Sequence, residues 1–426
     1  MRFLYLLAIY LAAPVVSAVF LWRGLRDRSY WRNFGERFGF GARLSPHGVW
    51  LHAVSVGEVQ ACAALVSALR RRYPALPLTV TTFTPTGSTR ARALFGNLAQ
   101  VRYLPYDLPG AVRRFFRRVQ PRLAVIFETE LWPNLYRECG RRRIPLVLAS
   151  ARISARSVSR YQRLGALFRE TLARTALVAA QGAGDAERFR SLGADPANTH
   201  VTGNIKFDFE LPADIAARGA RLRAQYAPDR PLWVAGSTHG GMEEQAVLEA
   251  QRRVREAHPG GLLVLAPRHP PRFDEVAAAL RAAGISFVRR SAADGSVTDA
   301  DCAVLLLDSL GELLDFYAAG DVAFVGGSLA PSGGHNLLEP AALGVPILVG
   351  PNNSNSEEIA RLLIARGAAE VVRDAAELAT RVSALLGDAA ARERMGAAGR
   401  ASVDSNRGAL AKLLALIEPL LEERSG

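Results

Sequence analysis

Three short stretches in the first half of this chain combine residue types that can do chemistry. In Leu51-His52-Ala53-Val54-Ser55-Val56-Gly57-Glu58 a buried-strand pattern over residues 49–54 runs into a Ser-Val-Gly turn, and Glu58 opens the amphipathic run that follows. In an open parallel sheet, ligands sit beyond the carboxyl ends of the strands, and a strand–Gly–helix turn points there. A Glu at that place has two jobs open to it: complementing the helix dipole, or serving as a general base at the mouth of a cleft. Phe127-Glu128-Thr129-Glu130-Leu131-Trp132-Pro133-Asn134 ends another strand with two carboxylates and a Trp. For mere solvation, one of the two acids would be expected to turn away. Lys206, in Gly203-Asn204-Ile205-Lys206-Phe207-Asp208, is one of two lysines, with Lys412, in a chain that otherwise uses Arg. That choice hints that a compact ammonium is wanted.

The second half offers a different set. The run 322–325 leads through Gly326-Gly327-Ser328 to Ser332-Gly333-Gly334-His335-Asn336-Leu337-Leu338-Glu339-Pro340, a strand, a Gly-rich loop and a helix opening near Asn336. Backbone amides at a helix start favour a phosphate, and Glu339 suits a ribose hydroxyl pair; a plain tight turn is the alternative. Pro267-Arg268-His269-Pro270 follows a strand at 262–266 and offers a guanidinium to a phosphate. Leu310-Gly311-Glu312-Leu313 follows a strand at 303–307, and Gly236-Ser237-Thr238-His239 completes a ring of four strand-end loops.

The elements that must hold these residues follow a βαβ rhythm, with apolar runs alternating with longer helical patterns. Strands are predicted at 49–54, 78–82, 123–127, 144–149 and 177–180, then at 232–235, 262–266, 303–307, 322–325 and 346–349. Arg-rich amphipathic helices are expected at 111–118 and 164–175, a linker at 208–215, and a final helix at 410–421. The 426 residues, 49% of them hydrophobic, suit two α/β units of about 200 residues each. We therefore expect a GT-B architecture, two Rossmann-like domains facing across a cleft, one for an acceptor and one for a nucleotide. The divisions are an anchor at 1–22, a first domain at 23–210 and a second at 211–426, with the helix 405–422 free to pack back on the first.

Three dispersed cysteines (Cys62, Cys139, Cys302) and seven scattered histidines argue against a disulfide framework or a metal site, and no cofactor is expected. Net charge is +13, unevenly spread: residues 1–200 carry 30 Arg against 11 acids, and residues 201–426 carry 23 basic against 29 acidic side chains. Clusters at Arg113, Arg114, Arg117, Arg118 and at Arg141, Arg142, Arg143 suit nucleic acid, anionic lipid or a phosphorylated substrate. Residues 3–22 hold no charge, about enough to span a bilayer. Arg23, Arg26 and Arg28 follow against Arg2 in front, which places the body on the cytoplasmic side. A cleaved signal at Val16-Ser17-Ala18 is disfavoured because the positive charge follows the apolar run. Pro14 leaves room for a kinked or partly embedded helix.

Six motifs in order resemble one family over nearly the full length. They are Gly35-Glu36-Arg37-Phe38-Gly39, Ser55-Val56-Gly57-Glu58, Thr84-Pro85-Thr86-Gly87, Tyr103-Leu104-Pro105-Tyr106-Asp107, Glu128-Thr129-Glu130-Leu131-Trp132-Pro133-Asn134 and Gly333-Gly334-His335-Asn336. The family is the 3-deoxy-D-manno-octulosonic acid (Kdo) transferases, membrane-anchored GT-B glycosyltransferases of the bacterial inner membrane. The resemblance implies transfer of Kdo from CMP-Kdo to the 6′-hydroxyl of the lipid A precursor, with inversion, in lipopolysaccharide synthesis. It makes Glu58 the proton acceptor, Glu128 and Lys206 the transition-state stabilisers, and Pro267, Arg268, Leu310, Gly311, Glu312, Asn336, Leu337, Leu338 and Glu339 the CMP-binding residues. It makes the partners CMP-Kdo, the lipid A precursor and anionic lipids of the inner membrane, and not nucleic acid. On this reading the helix start helps keep Glu58 ionised until the hydroxyl arrives. Two rivals remain: a GT-B enzyme using a UDP-sugar, and a membrane-tethered nucleic-acid-binding protein. The second lacks recognition helices, RNP-type aromatics and zinc spacing.

Overall fold

The computed structural model describes residues 1–292, 299 and 301–422, so residues 293–298, 300 and 423–426 of the expected second domain lie outside the described residues. Contacts divide the chain into two compact units, one of residues 1–209 with those from 406 onward, the other Glu210–Ser405.

The first unit is built on seven strands: β1 (Val49–His52), β2 (Leu78–Thr82), β3 (Gln100–Tyr103), β4 (Leu123–Phe127), β5 (Leu146–Ala151), β6 (Leu177–Ala180) and β7 (Thr199–Val201). Their order is β3-β2-β1-β4-β5-β6-β7, and every pair is parallel. Helices cover both faces, which is why the central strands read as buried runs rich in Val, Leu and Ile. β1 stops at His52, short of the expected Val54, because the Val54 amide donates to Glu58 (2.9 Å) instead of to a neighbouring strand. β5 starts at Leu146, not 144: Ile144 N donates to Cys139 O, closing the preceding helix, and Pro145 has no amide. The expected helices are observed as Pro109–Val119 and Gly165–Leu172.

The second unit repeats the plan with β8 (Leu232–Thr238), β9 (Leu262–Pro267), β10 (Phe287–Arg289), β11 (Val304–Leu306), β12 (Val322–Val325), β13 (Ile347–Val349) and β14 (Ala369–Val371). The order is β10-β11-β9-β8-β12-β13-β14, again parallel throughout. The strands missing from the prediction, β3, β7, β10 and β14, are short, and all four end a sheet. Their polar residues hide the apolar pattern.

The terminal helix Ala409–Glu422 belongs to the first unit, where Leu413, Ile417 and Leu421 join the core that contains Leu65 and Leu69. Its start is tied to the expected linker: both Asp208 carboxylate oxygens accept amides, from Gly408 and Leu410, at 2.6 Å each. Asp208→Ala removes the acceptor for these helix-start donors and is expected to cost about 1–2 kcal/mol. Denaturant midpoints of Asp208→Ala and Asp208→Asn check this; an unchanged midpoint in the alanine variant rules out the cap.

The helix Arg2–Gly24 is long and apolar enough to cross or anchor in a membrane, and Pro14 lies within it. One face rests on the first unit. Tyr5 Oη donates to Asp107 at 2.7 Å, and the Phe20 ring lies 6.0 Å from Phe83. Phe3, Leu7, Leu11, Val15 and Trp22 stay exposed on it. Part of the basic field behind it is structural. Arg114 and Arg118 donate to Phe38 O and Gly41 O and stack on Phe40, leaving Arg113 and Arg117 exposed.

Candidate active site

In the first unit the strand order reverses between β1 and β4, which pair directly with His52 opposite Ile126. Such a switch point is where the loops beyond neighbouring strands diverge and leave a crevice. Glu58 follows β1 and Glu128 follows β4, so the topology delivers both acids there.

Glu58 is 8% exposed and bends back over its own turn: Oε2 accepts from Val54 N at 2.9 Å and Oε1 from Ser55 Oγ at 3.0 Å. Burial, followed by the Glu128 charge, pushes its pKa up to about 7, against the lowering effect of the two hydrogen bonds. This corrects the expectation that the helix start keeps Glu58 ionised. Loss of water and a neighbouring carboxylate outweigh a favourable dipole.

Glu128 has a left-handed backbone, φ 57°, which a non-glycine residue adopts at a cost. Its carboxylate is clamped, with Oε1 accepting from Lys206 Nζ at 2.8 Å and Oε2 from Arg152 Nε at 3.2 Å. Burial alone would raise its pKa; the Lys206 ammonium and the Arg152 guanidinium more than reverse this and hold it below the ordinary value. Glu130 does not turn away either. It accepts from Trp132 Nε1 at 2.9 Å, and burial raises its pKa. Three carboxyl groups thus share the crevice with graded proton affinities. Arg152 is absent from the sequence-based site; its place just beyond β5 was the available signal.

The first-unit motifs interlock around these acids. Thr84 caps the next helix by accepting from Gly87 N (3.1 Å), and a Cβ on Gly87 would lie 3.1 Å from Val54 O, so glycine lets that loop press on the Glu58 turn. Arg37 is fully buried, stacks on Phe20, Phe83 and Tyr103, and donates to Phe83 O at 2.9 Å. Asp107 accepts the first amides of the helix Pro133–Arg141, from Asn134 and Leu135, fixing the loop that carries Glu128 and Glu130.

In the second unit the reversal lies between β8 and β12, with Gly236 opposite Val325. Arg268 is exposed just beyond β9, after the buried Pro267. Gly311 has φ +92° and Leu310 is 72% exposed, whereas Glu312 is ion-paired with Arg290 at 2.8 Å. The helix expected near Asn336 is only the six residues Leu338–Leu343, with Asn336 Oδ1 accepting from Leu338 N at 3.1 Å. The helix thus opens close to the expected place but is short, so it has little dipole and a phosphate there would rely on loop amides. Leu337 and Leu338 are buried, and Glu339 is half-buried in the first turn.

In this unit too a residue escaped the sequence reading. Glu243, 1% exposed, accepts from His239 N (2.6 Å) and Gly327 N (2.8 Å) through Oε2, and from Ser328 N (3.1 Å) and Leu329 N (3.0 Å) through Oε1. It pins the Gly-rich loop to the strand end. Its signal was its spacing: Glu243 bonds the amide four residues earlier, as Glu58 does. Among the described residues no group of three or more His, Cys, Asp and Glu is arranged to hold a metal.

A family profile described as 3-deoxy-D-manno-octulosonic-acid transferase (kdotransferase) matches residues 32–209. The chain is 41% identical over 425 residues to the 3-deoxy-D-manno-octulosonic acid transferase of Haemophilus influenzae, covering 99% of each. It is 40% identical over 437 residues to the protein of the same name from Bordetella pertussis, again covering 99% of each. Among solved structures, a UDP-GlcNAc 2-epimerase from Neisseria meningitidis bound to UDP-GlcNAc aligns with a TM-score of 0.57 at 13% identity, over 87% of this chain and all of the other. That last likeness is one of fold.

Proposed function

Because the chain belongs to the family of Kdo transferases, glycosyltransferases of lipopolysaccharide synthesis, we propose that it moves Kdo from CMP-Kdo to the 6′-hydroxyl of the lipid A precursor with inversion. The observation that carries the reading is the trio Glu58, Glu128 and Lys206 at one switch point, in a chain so similar to two enzymes of that name. Glu58 takes the proton of the acceptor hydroxyl, whose oxygen attacks the anomeric carbon. The bond to phosphate breaks from the opposite side, and CMP leaves. Glu128, held ionised by Lys206 and Arg152, steadies the positive charge that builds on the sugar.

The second unit takes the donor. Arg268 meets the single phosphate, and Pro267, the exposed loop of Leu310, Gly311 and Glu312, and the segment Asn336, Leu337, Leu338 and Glu339 surround the nucleoside. The buried side chains of Leu337 and Leu338 limit those two to backbone contacts. The acceptor is a phosphorylated lipid, and the apolar helix Arg2–Gly24 with exposed Arg113 and Arg117 suits an anionic bilayer surface. The site then lies on the cytoplasmic face of the inner membrane, as the arginines after that helix favour.

The full chain in detergent, incubated with CMP-Kdo and a tetra-acylated lipid A precursor, is expected to yield a Kdo-bearing lipid detectable by mass spectrometry. CMP is expected to raise the melting temperature and UDP to leave it unchanged. Stabilisation by UDP alone overturns the donor assignment and revives the UDP-sugar rival.

A further inference from the structure

Three imidazoles that the sequence scatters meet at the switch point of the second unit. His239, just past β8, stacks on His335 with ring centroids 4.9 Å apart and planes 16° from parallel. His269, beyond β9, meets His239 edge-on at 4.9 Å. Beneath them lies Gly327, at φ +71°, where a Cβ would come within 2.9 Å of His335 Cδ2 and 3.1 Å of its Nε2. Glycine is what lets the His335 ring settle there. His335 Nε2 is buried and makes no hydrogen bond, an open position for a ligand.

The surroundings of this nitrogen are basic. The groups that act on His335 are His239, Arg268 and His269. The acid beside His239 is Glu243, whose oxygens are already occupied by backbone amides. Burial, then those three neighbours, lower the His335 pKa to about 4, so the ring is neutral in the free protein at physiological pH. His239 and His269 are shifted the same way, chiefly by burial. A neutral imidazole cluster facing an exposed guanidinium accommodates an anion, and an anion reverses the balance that keeps the ring unprotonated.

We propose that this cluster is an anion-coupled proton site: a phosphodiester docking beside Arg268 loads a proton onto His335, and the imidazolium then faces the phosphate as it becomes the leaving group. The inference rests on the CMP-sugar reading above and adds a group to its chemistry. In the donor the phosphate carries one negative charge. When the sugar C–O bond breaks, the electron pair stays on the phosphate oxygen and creates a second charge, which the His335 proton neutralises. That proton departs with CMP, and solvent supplies another when the next donor binds. The proton of the acceptor hydroxyl goes separately to Glu58.

The test uses the full chain in detergent and cytidine 5′-(methyl phosphate), a diester that does not titrate near neutrality. Calorimetry in buffers of different ionisation enthalpy is expected to show uptake of close to one proton per ligand at pH 6.5. Affinity is expected to fall as pH rises from 5.5 to 7.5, by up to about tenfold per unit for one linked proton. His335→Gln binds without proton uptake and with a pH-independent affinity. His239→Gln removes a neighbour that opposes the charge, so uptake persists and the midpoint moves to higher pH. Binding of the diester without proton exchange, or full uptake retained in His335→Gln, overturns the proposal alone. Failure of both CMP and the diester to bind overturns the donor reading, and the proposal with it.

Discussion

A Glu58→Gln variant is expected to transfer Kdo about 10³-fold more slowly than the parent chain, within the range a positioned general base supplies, and yet to melt at a higher temperature at pH 8. Both effects come from the same burial. With Glu58 as the proposed base, activity in the parent requires the ionised carboxylate, so kcat/KM is expected to climb about tenfold per pH unit below pH 7 and to level off above it. For stability the sign is the opposite of the usual carboxylate case. The folded value, about 7, lies above the ordinary 4.5. The native state therefore holds the proton that the unfolded chain has lost, and stability falls as pH rises between those values. Above pH 7 the buried charge costs roughly 3 kcal/mol, and glutamine, which carries no charge, recovers a large part of it. A transfer assay and melting curves at pH 5 and pH 8 check both effects. Retained turnover removes Glu58 from the role of base, and a lower melting temperature at pH 8 overturns the cost assigned to its buried charge.

Glu128→Gln is expected to leave two signatures in a single pH–rate profile. The plateau falls about 10²–10³-fold, because the carboxylate that Lys206 and Arg152 hold ionised no longer meets the positive charge on the sugar. The midpoint also moves below pH 7, because the Glu128 charge is the second largest cause of the raised Glu58 value. A residue that only braces the fold would lower the plateau without moving the midpoint. An unmoved midpoint would falsify the electrostatic coupling between the two acids.

The sequence disclosed the strands that have water on neither side, because burial on both faces leaves no charged residue to blur the pattern. β2, β4, β6 and β12 begin and end where predicted. It was mute on β3 or β14, where alternating polar residues such as Arg102 and Glu370 interrupt short runs. At the site, Glu58, Glu128 and Lys206 were legible as types in strand-end loops, but their relation was not. That Lys206 reaches Glu128 across 78 positions, and that Arg152 closes the other side, depends on which strands neighbour one another. The proton affinity of Glu58 was misread for a related reason. A helix start is visible in sequence, whereas the exclusion of water and the approach of Glu128 are tertiary facts. The arginine clusters looked like one basic field, and half of the 113–118 cluster proves to be bracing around Phe40.

Glu58 and Glu243 occupy the same kind of turn in two like sheets, each bent back onto an amide four residues earlier. The second sheet thus contains an internal control for the first. The loop after β12 delivers four further amides to Glu243 and makes it a hinge pin. Among the described residues, the loop after β4 delivers no amide to Glu58 and sets a rival acid beside it. On the proposed reading of Glu58 as a base, what separates a reagent from a fastener at this position is written in the neighbouring loop, not in the glutamate. A designer seeking a base in a domain of this type would edit the opposing loop, withholding its N–H groups, and leave the carboxylate where it already stands.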